Sequence, residues 1–262
     1  MKLKPRHSGL TLTEMTIVVA AVAMLTALSM PAVRSFFYSM STSSGTKALI
    51  SASLSSARAI AAREQRYAGI RFQKAYSSGN ILDTPQYMIF IVYDYNETGL
   101  ASGFRAVEGI RPIKLPDSVG VTDLYANGVR IAANSDIDDP NEIRDTTSFS
   151  IIFSPSGRLV MRDVRVRNRD GAPRWLALLD NSQDDIFNTI FKVENEKIAM
   201  FYQDDYANLG LGHELSRNSF IIYEKDKFKT AYQKGVAFDY LSRLIPETIR
   251  INPYTGTIIN EK

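Results

Sequence analysis

The chain has 262 residues, 31 Lys and Arg against 28 Asp and Glu, and a formal charge of +3; that length suffices for one well-filled core beyond a terminal segment. Cysteine is absent, which excludes disulfides and thiolate metal sites. The two histidines, His7 and His213, lack the paired spacing of a zinc-protease helix, and no Gly-rich phosphate loop or nucleophile elbow occurs, so nothing points to an enzyme, a metal or a cofactor.

At the amino terminus, residues 1–9 (MKLKPRHSG) hold Lys2, Lys4 and Arg6, which leaves 28 basic residues against 28 acidic ones in the rest of the chain. Residues 15–33 carry no charge and are closed by Arg34, a run close to the roughly 20 apolar residues a helix needs to cross a bilayer. The basic excess on its amino-terminal side predicts that this side stays cytoplasmic and that the bulk of the chain lies in the periplasm. A secretory signal would end in a small-x-small site beyond its apolar core. Here the small residue, Gly9, precedes the run, so cleavage after it would remove only the basic leader. Glu14 stands at the entrance of the run, where an acid is costly without a partner and marks a functional position. Pro31 removes a helix hydrogen bond and predicts a kink.

Gly9, Leu10, Thr11, Leu12, Thr13 and Glu14, followed by the uncharged run, resemble the class III prepilin signal of type IV pilins and type II secretion pseudopilins. Leu10 stands where that family most often has Phe. The resemblance implies cleavage by a prepilin peptidase between Gly9 and Leu10, N-methylation of Leu10, and pairing of Glu14 with the new amino terminus of an adjacent subunit during assembly. The implied partners are the peptidase, other pilins or pseudopilins and the inner-membrane assembly platform, in a hetero-oligomeric filament. The implied location is single-pass in the inner membrane with a periplasmic carboxy-terminal domain, and later the pilus or pseudopilus. The implied fold is α+β, with a long N-terminal transmembrane helix packed on a mainly antiparallel β-sheet globular domain. The boundaries are a leader at 1–9, a helix at 10–66 that is transmembrane over about 15–36, and a globular domain at 67–262.

Beyond the run, residues 46–65 place Ile50, Leu54, Ala57 and Ala61 at helical spacing, which predicts a helix with one apolar stripe packed against a sheet. Residues 67–73 alternate as a short strand, and 87–95 (YMIFIVYDY) give the strongest strand pattern. Further strands are expected at 104–107, 119–124, 149–153 and 159–166, with Ser154-Pro155-Ser156-Gly157 as a hairpin turn between the last two. Residues 57–72 and the 153–157 turn are similar to the helix-to-strand junction and sheet hairpin of the GspH/FimT group of minor pseudopilins, and the chain length favours a minor subunit. Residues 170–218 read as a loop-rich insertion with short elements at 187–193 and 197–202. A strand at 219–224, a helix at 227–244 weakened by Gly235, and a terminal hairpin around Asn252-Pro253-Tyr254-Thr255-Gly256 complete the reading.

Two clusters invite a binding role. Asp136, Asp138, Asp139, Asn141, Glu142 and Asp145 form an oxygen-rich stretch, but Pro140 falls where a calcium-loop ligand would stand, so a solvated loop is expected. Arg162, Arg165, Arg167, Arg169 and Arg174 crowd a second stretch. On a strand Arg165, Arg167 and Arg169 share one face, a row that could hold phosphates. A DNA-binding minor pilin is therefore the alternative to a structural subunit, although nucleic acid is not the expected partner.

Overall fold

A computed structural model describes residues 43–170, 181–203 and 214–259, together with Thr13, residues 15–19 and Met24, which are helical. Gly9, Leu10, Glu14 and Pro31 lie outside the described residues, as do Arg174, His213 and most of the expected span at 15–36.

Helix α1 (Ser43–Glu64) is rich in Ala and Ser. Its Ile50, Leu54, Ala57 and Ala61 are completely buried, so the helical spacing seen in the sequence is the buried face. The helix stops at Gln65, whose φ of 53° turns the chain back along the sheet. The first strands are β1 (Ala68–Lys74), β2 (Gln86–Tyr93), β3 (Gly103–Ala106), β4 (Ile113–Lys114) and β5 (Val119–Thr122). A small hairpin, β6 (Tyr125–Ala126) and β7 (Val129–Arg130), leads to α2 (Pro140–Thr146). Then follow β8 (Phe149–Phe153), β9 (Leu159–Val160), β10 (Asp163–Arg167), β11 (Phe187–Asn188), β12 (Phe201–Tyr202) and β13 (Glu214–Leu215). The chain continues with β14 (Ser219–Glu224), α3 (Lys225–Gln233), α4 (Ala237–Ser242), β15 (Ile249–Ile251) and β16 (Ile258–Ile259).

The architecture is α+β with mostly antiparallel strands. The main sheet runs β13-β10-β3-β2-β1-β8-β9, with β4 added to β2. Its one parallel pair joins β10 to β3, with Arg165 opposite Gly103. Strands β9 and β10 lie towards opposite ends of this order, yet only residues 161–162 separate them in the chain, so the sheet must curl. Hydrogen bonds close the seam: Ser216 donates its N–H to the Arg162 carbonyl (2.8 Å) and its hydroxyl to the Val160 carbonyl (2.9 Å), and the Arg217 N–H reaches the Ser150 carbonyl at 2.7 Å.

The curl leaves the central strands covered on both faces. All seven residues of β1 and all five of β8 are buried. On one face Ile70, Phe72, Met88, Phe90, Phe149 and Ile151 pack against the α1 stripe. On the other, Ile89, Ile91, Phe104, Ile152, Val164 and Val166 meet Phe187 and Phe201 from the insertion. The alternation expected of 67–73 therefore separates two cores and not core from solvent. A smaller sheet, β16-β15-β14-β5, carries α2, α3 and α4 over a further core around Ile143, Ile221, Tyr223, Phe228 and Leu241.

Several expectations are corrected. The long single-pass membrane helix and the inner-membrane location do not stand: among the described residues no helix is long and apolar enough to cross a membrane. Helix α1 has the length, but it carries Lys47, Arg58, Arg63 and Glu64 and buries only one stripe against the sheet. The acid-rich stretch is a loop only in its first half; from Pro140 on it is helical. Asp139 caps α2 by accepting from the Asn141 N–H at 2.6 Å, and Glu142 closes the reciprocal box by accepting from the Asp139 N–H at 3.0 Å. Pro140 begins the helix, where its missing N–H costs nothing. The helix expected over 227–244 is two helices, split at Gly235, whose φ of 71° suits no other residue well. The strand expected over 159–166 breaks into β9 and β10 at the seam.

Candidate functional site

The arginine-rich strand β10 lies inside the main sheet, between β3 and β13. Its Val164 and Val166 point into the core, which puts Arg165 and Arg167 together on the opposite side, as the alternation predicts. The exposure differs from what a phosphate-binding row needs. Arg167 is buried, and its guanidinium donates to the Thr98 carbonyl at 3.2 Å. Arg169, beyond the strand end, is held by Asp184 at 2.9 Å and also by Asp185. Arg165 is half-buried. The strand thus sets Arg165 and Arg167 on one face, and Arg167 and Arg169 are held by internal partners.

The sequence reading missed a set of buried charges at the heart of the curl. Arg71, in the middle of β1, is fully buried. It forms an ion pair with Glu214 at 2.7 Å and donates to the Gln73 side chain at 2.6 Å and to the Ser150 hydroxyl at 3.2 Å. Gln73 in turn donates to the Tyr202 carbonyl at 3.0 Å. Nearby, Arg217 pairs with Asp123 at 2.6 Å and lies 4.0 Å over the Tyr125 ring. Three carboxylates, Glu214, Asp123 and Asp145, thus share two guanidinium groups. Burial pushes Asp123 up to about 8 against the pull of Arg217, and pushes Asp145 up to about 6 despite the Asn127 backbone N–H that it accepts. Burial raises Glu214 as well. The one sequence signal was a charged residue in the apolar strand AGIRFQK.

A second buried pair lies at the carboxy-terminal end of β1. The Lys74 ammonium donates to the Ile81 and Thr84 carbonyls at 3.0 and 3.2 Å, and Lys225 reaches the same Thr84 carbonyl at 3.3 Å. Burial, aided by the neighbouring Lys225, lowers Lys74 to about 7. Both groups bind carbonyls of the loop at 75–85, so the pair fastens that loop and α3 to the sheet.

Chemically, these clusters pair charges and satisfy carbonyls. Among the described residues no group of His, Asp and Glu could hold a metal ion. The leader junction Gly9–Leu10 and the assembly position Glu14 are outside the described residues, so their geometry does not enter the site. Comparison with protein families, with curated proteins and with solved structures finds no match to this chain.

Proposed function

We propose that the chain is a pilin-like structural subunit, cleaved after Gly9 by a prepilin peptidase, methylated at Leu10, and assembled through Glu14 as a minor component of a type II secretion pseudopilus or type IV pilus. The observation that carries this reading is the order of residues at the amino terminus: a basic leader, Gly9-Leu10, then Glu14 at the head of an uncharged run. A helix that lays one apolar stripe along an antiparallel sheet is compatible with it. The role is structural, and it needs no cofactor. Uptake of DNA through the arginine row finds less support, because Arg167 is buried and Arg169 is paired with Asp184 and Asp185.

The test is processing. When the full chain is expressed with a prepilin peptidase, intact mass and amino-terminal sequencing should show a product that begins at methylated Leu10, and Gly9→Val should keep the leader. A mature start beyond residue 33 would refute the reading. Glu14→Ala should leave the chain folded but lower its crosslinking to other pilin-like subunits; undiminished crosslinking would remove the assembly role of Glu14.

A further inference from the structure

Arg162 sits at the seam where the sheet closes. Its backbone is fixed on both sides by Ser216, which accepts the Arg162 N–H at 3.0 Å and donates to its carbonyl at 2.8 Å. Its guanidinium lies 4.0 Å from the centre of the Tyr67 ring, 4.8 Å from Tyr93 and 5.5 Å from Phe104. Aromatic faces hold a cation and leave its N–H edge uncommitted. No carboxylate or carbonyl among the described residues accepts from this guanidinium, and its buried Nε–H has no acceptor. The nearby Asp94 is taken by Arg66 and Arg105, both at 2.9 Å. This is unusual for a half-buried arginine, because buried donors are nearly always satisfied.

The side chain lines an open cleft of about 770 Å³ together with Val160, Met161, Asp163 and Leu215. Met161 is 49% exposed and Leu215 44%, so the walls beside the cation are apolar and wet. We propose that this cleft binds a carboxylate carried on an aliphatic chain. The planar guanidinium edge takes the two carboxylate oxygens in parallel, and Val160, Met161 and Leu215 cover the hydrocarbon. The charge balance selects a monoanion: among the described residues Arg162 is the one cation in the cleft wall, and Asp163 in the same wall disfavours a more highly charged phosphate. The aliphatic acid can be a free fatty-acid-like molecule or the carboxy terminus of a peptide ending in an apolar residue, which offer the same chemistry. The inference does not rest on the proposed function or on processing.

The probe is hexanoate, titrated into the full chain with ¹⁵N-labelled arginine, with the Arg162 Nε–H resonance as readout. A saturable shift is expected with a Kd on the order of 1 mM, the scale for one ion pair and a short chain. Hexan-1-ol, acetate and inorganic phosphate should bind at least about tenfold more weakly, a difference of about 1.4 kcal/mol. Arg162→Met keeps an unbranched side chain over Tyr67 and should abolish binding, read on neighbouring amides. Leu215→Asp alters an exposed wall and should weaken binding without disturbing the fold, which guards against a misfolded Arg162→Met. A dipeptide with a carboxy-terminal leucine, run in parallel, separates the two sources: tighter binding than hexanoate assigns a peptide end, weaker binding a free acid. The proposal fails if no saturable shift occurs, if hexanol or phosphate matches hexanoate, or if both variants bind as the parent does.

Discussion

Replacing Arg71 by methionine tests whether the buried ion pairs hold the curl closed. The side chain has no solvent exposure, and its guanidinium serves Glu214, Gln73 and Ser150 at 2.7, 2.6 and 3.2 Å. Methionine fills much of the same volume, so the loss is electrostatic more than steric. Removing one member of such a pair strands the other as an uncompensated buried charge and costs about 3–5 kcal/mol. For a chain of this size each kcal/mol moves Tm by roughly 2–4 °C, so the variant should melt on the order of 10 °C lower. The loss should also depend on pH. Burial already raises Glu214 above its unfolded value, and without Arg71 it should rise further. A carboxyl raised in the folded state contributes fully below its unfolded pKa and loses that contribution as pH rises through the folded value. The variant should therefore be closest to the parent in acid and fall behind as pH rises. Urea unfolding at several pH values gives the difference, and the double variant Arg71→Met with Glu214→Gln should recover a large part of it. A single-variant loss under about 1 kcal/mol, or a double variant equal to the sum of its parts, would refute the argument, since a strong pair must couple.

Two other perturbations probe different parts of the fold. Lys74, lowered to about 7 mainly by burial, should make the parent more stable as pH rises, because the unfolded chain keeps a proton there that the folded chain has lost. Asp123, raised to about 8, opposes this below that pH, so the gain should emerge between pH 8 and about 9.5, before tyrosines ionise in the unfolded chain. Lys74→Met should flatten the gain in a pH series of urea midpoints; an unchanged slope would mean that Lys74 is an ordinary charged lysine. Gly69→Ala should destabilise by about 1–3 kcal/mol or more, because the new Cβ would stand 2.0 Å from the Ile151 carbonyl oxygen across the β1–β8 pair, and backbone there cannot yield cheaply. A midpoint within error of the parent would show that the two strands can separate at that point.

Local order was legible in the sequence wherever one residue pattern had one physical outcome. The 3.6-residue spacing of Ile50, Leu54, Ala57 and Ala61 gave the packed face of α1, because a helix can bury only one stripe against a sheet. The β-branched and aromatic run in β2, the Pro-Gly turn before β9 and the Asn-Pro-Tyr-Thr-Gly hairpin before β16 were likewise set by local chemistry. The Gly9–Glu14 junction, the basis of the proposed function, is also a property of sequence alone. Tertiary structure decided the rest. Whether Arg167 faces solvent depends on the turn around Thr98 that closes over it, and whether Arg169 is available depends on Asp184, which the chain brings back 15 residues later. The pairing of Arg71 with Glu214 joins residues far apart in sequence, and it exists only because the sheet curls until β13 comes back beside β1 and β8. The same closure sets Arg162 over Tyr67, Tyr93 and Phe104. Periodicity records which way a side chain points from its own strand; it carries no record of what the closing of a sheet will bring to meet it.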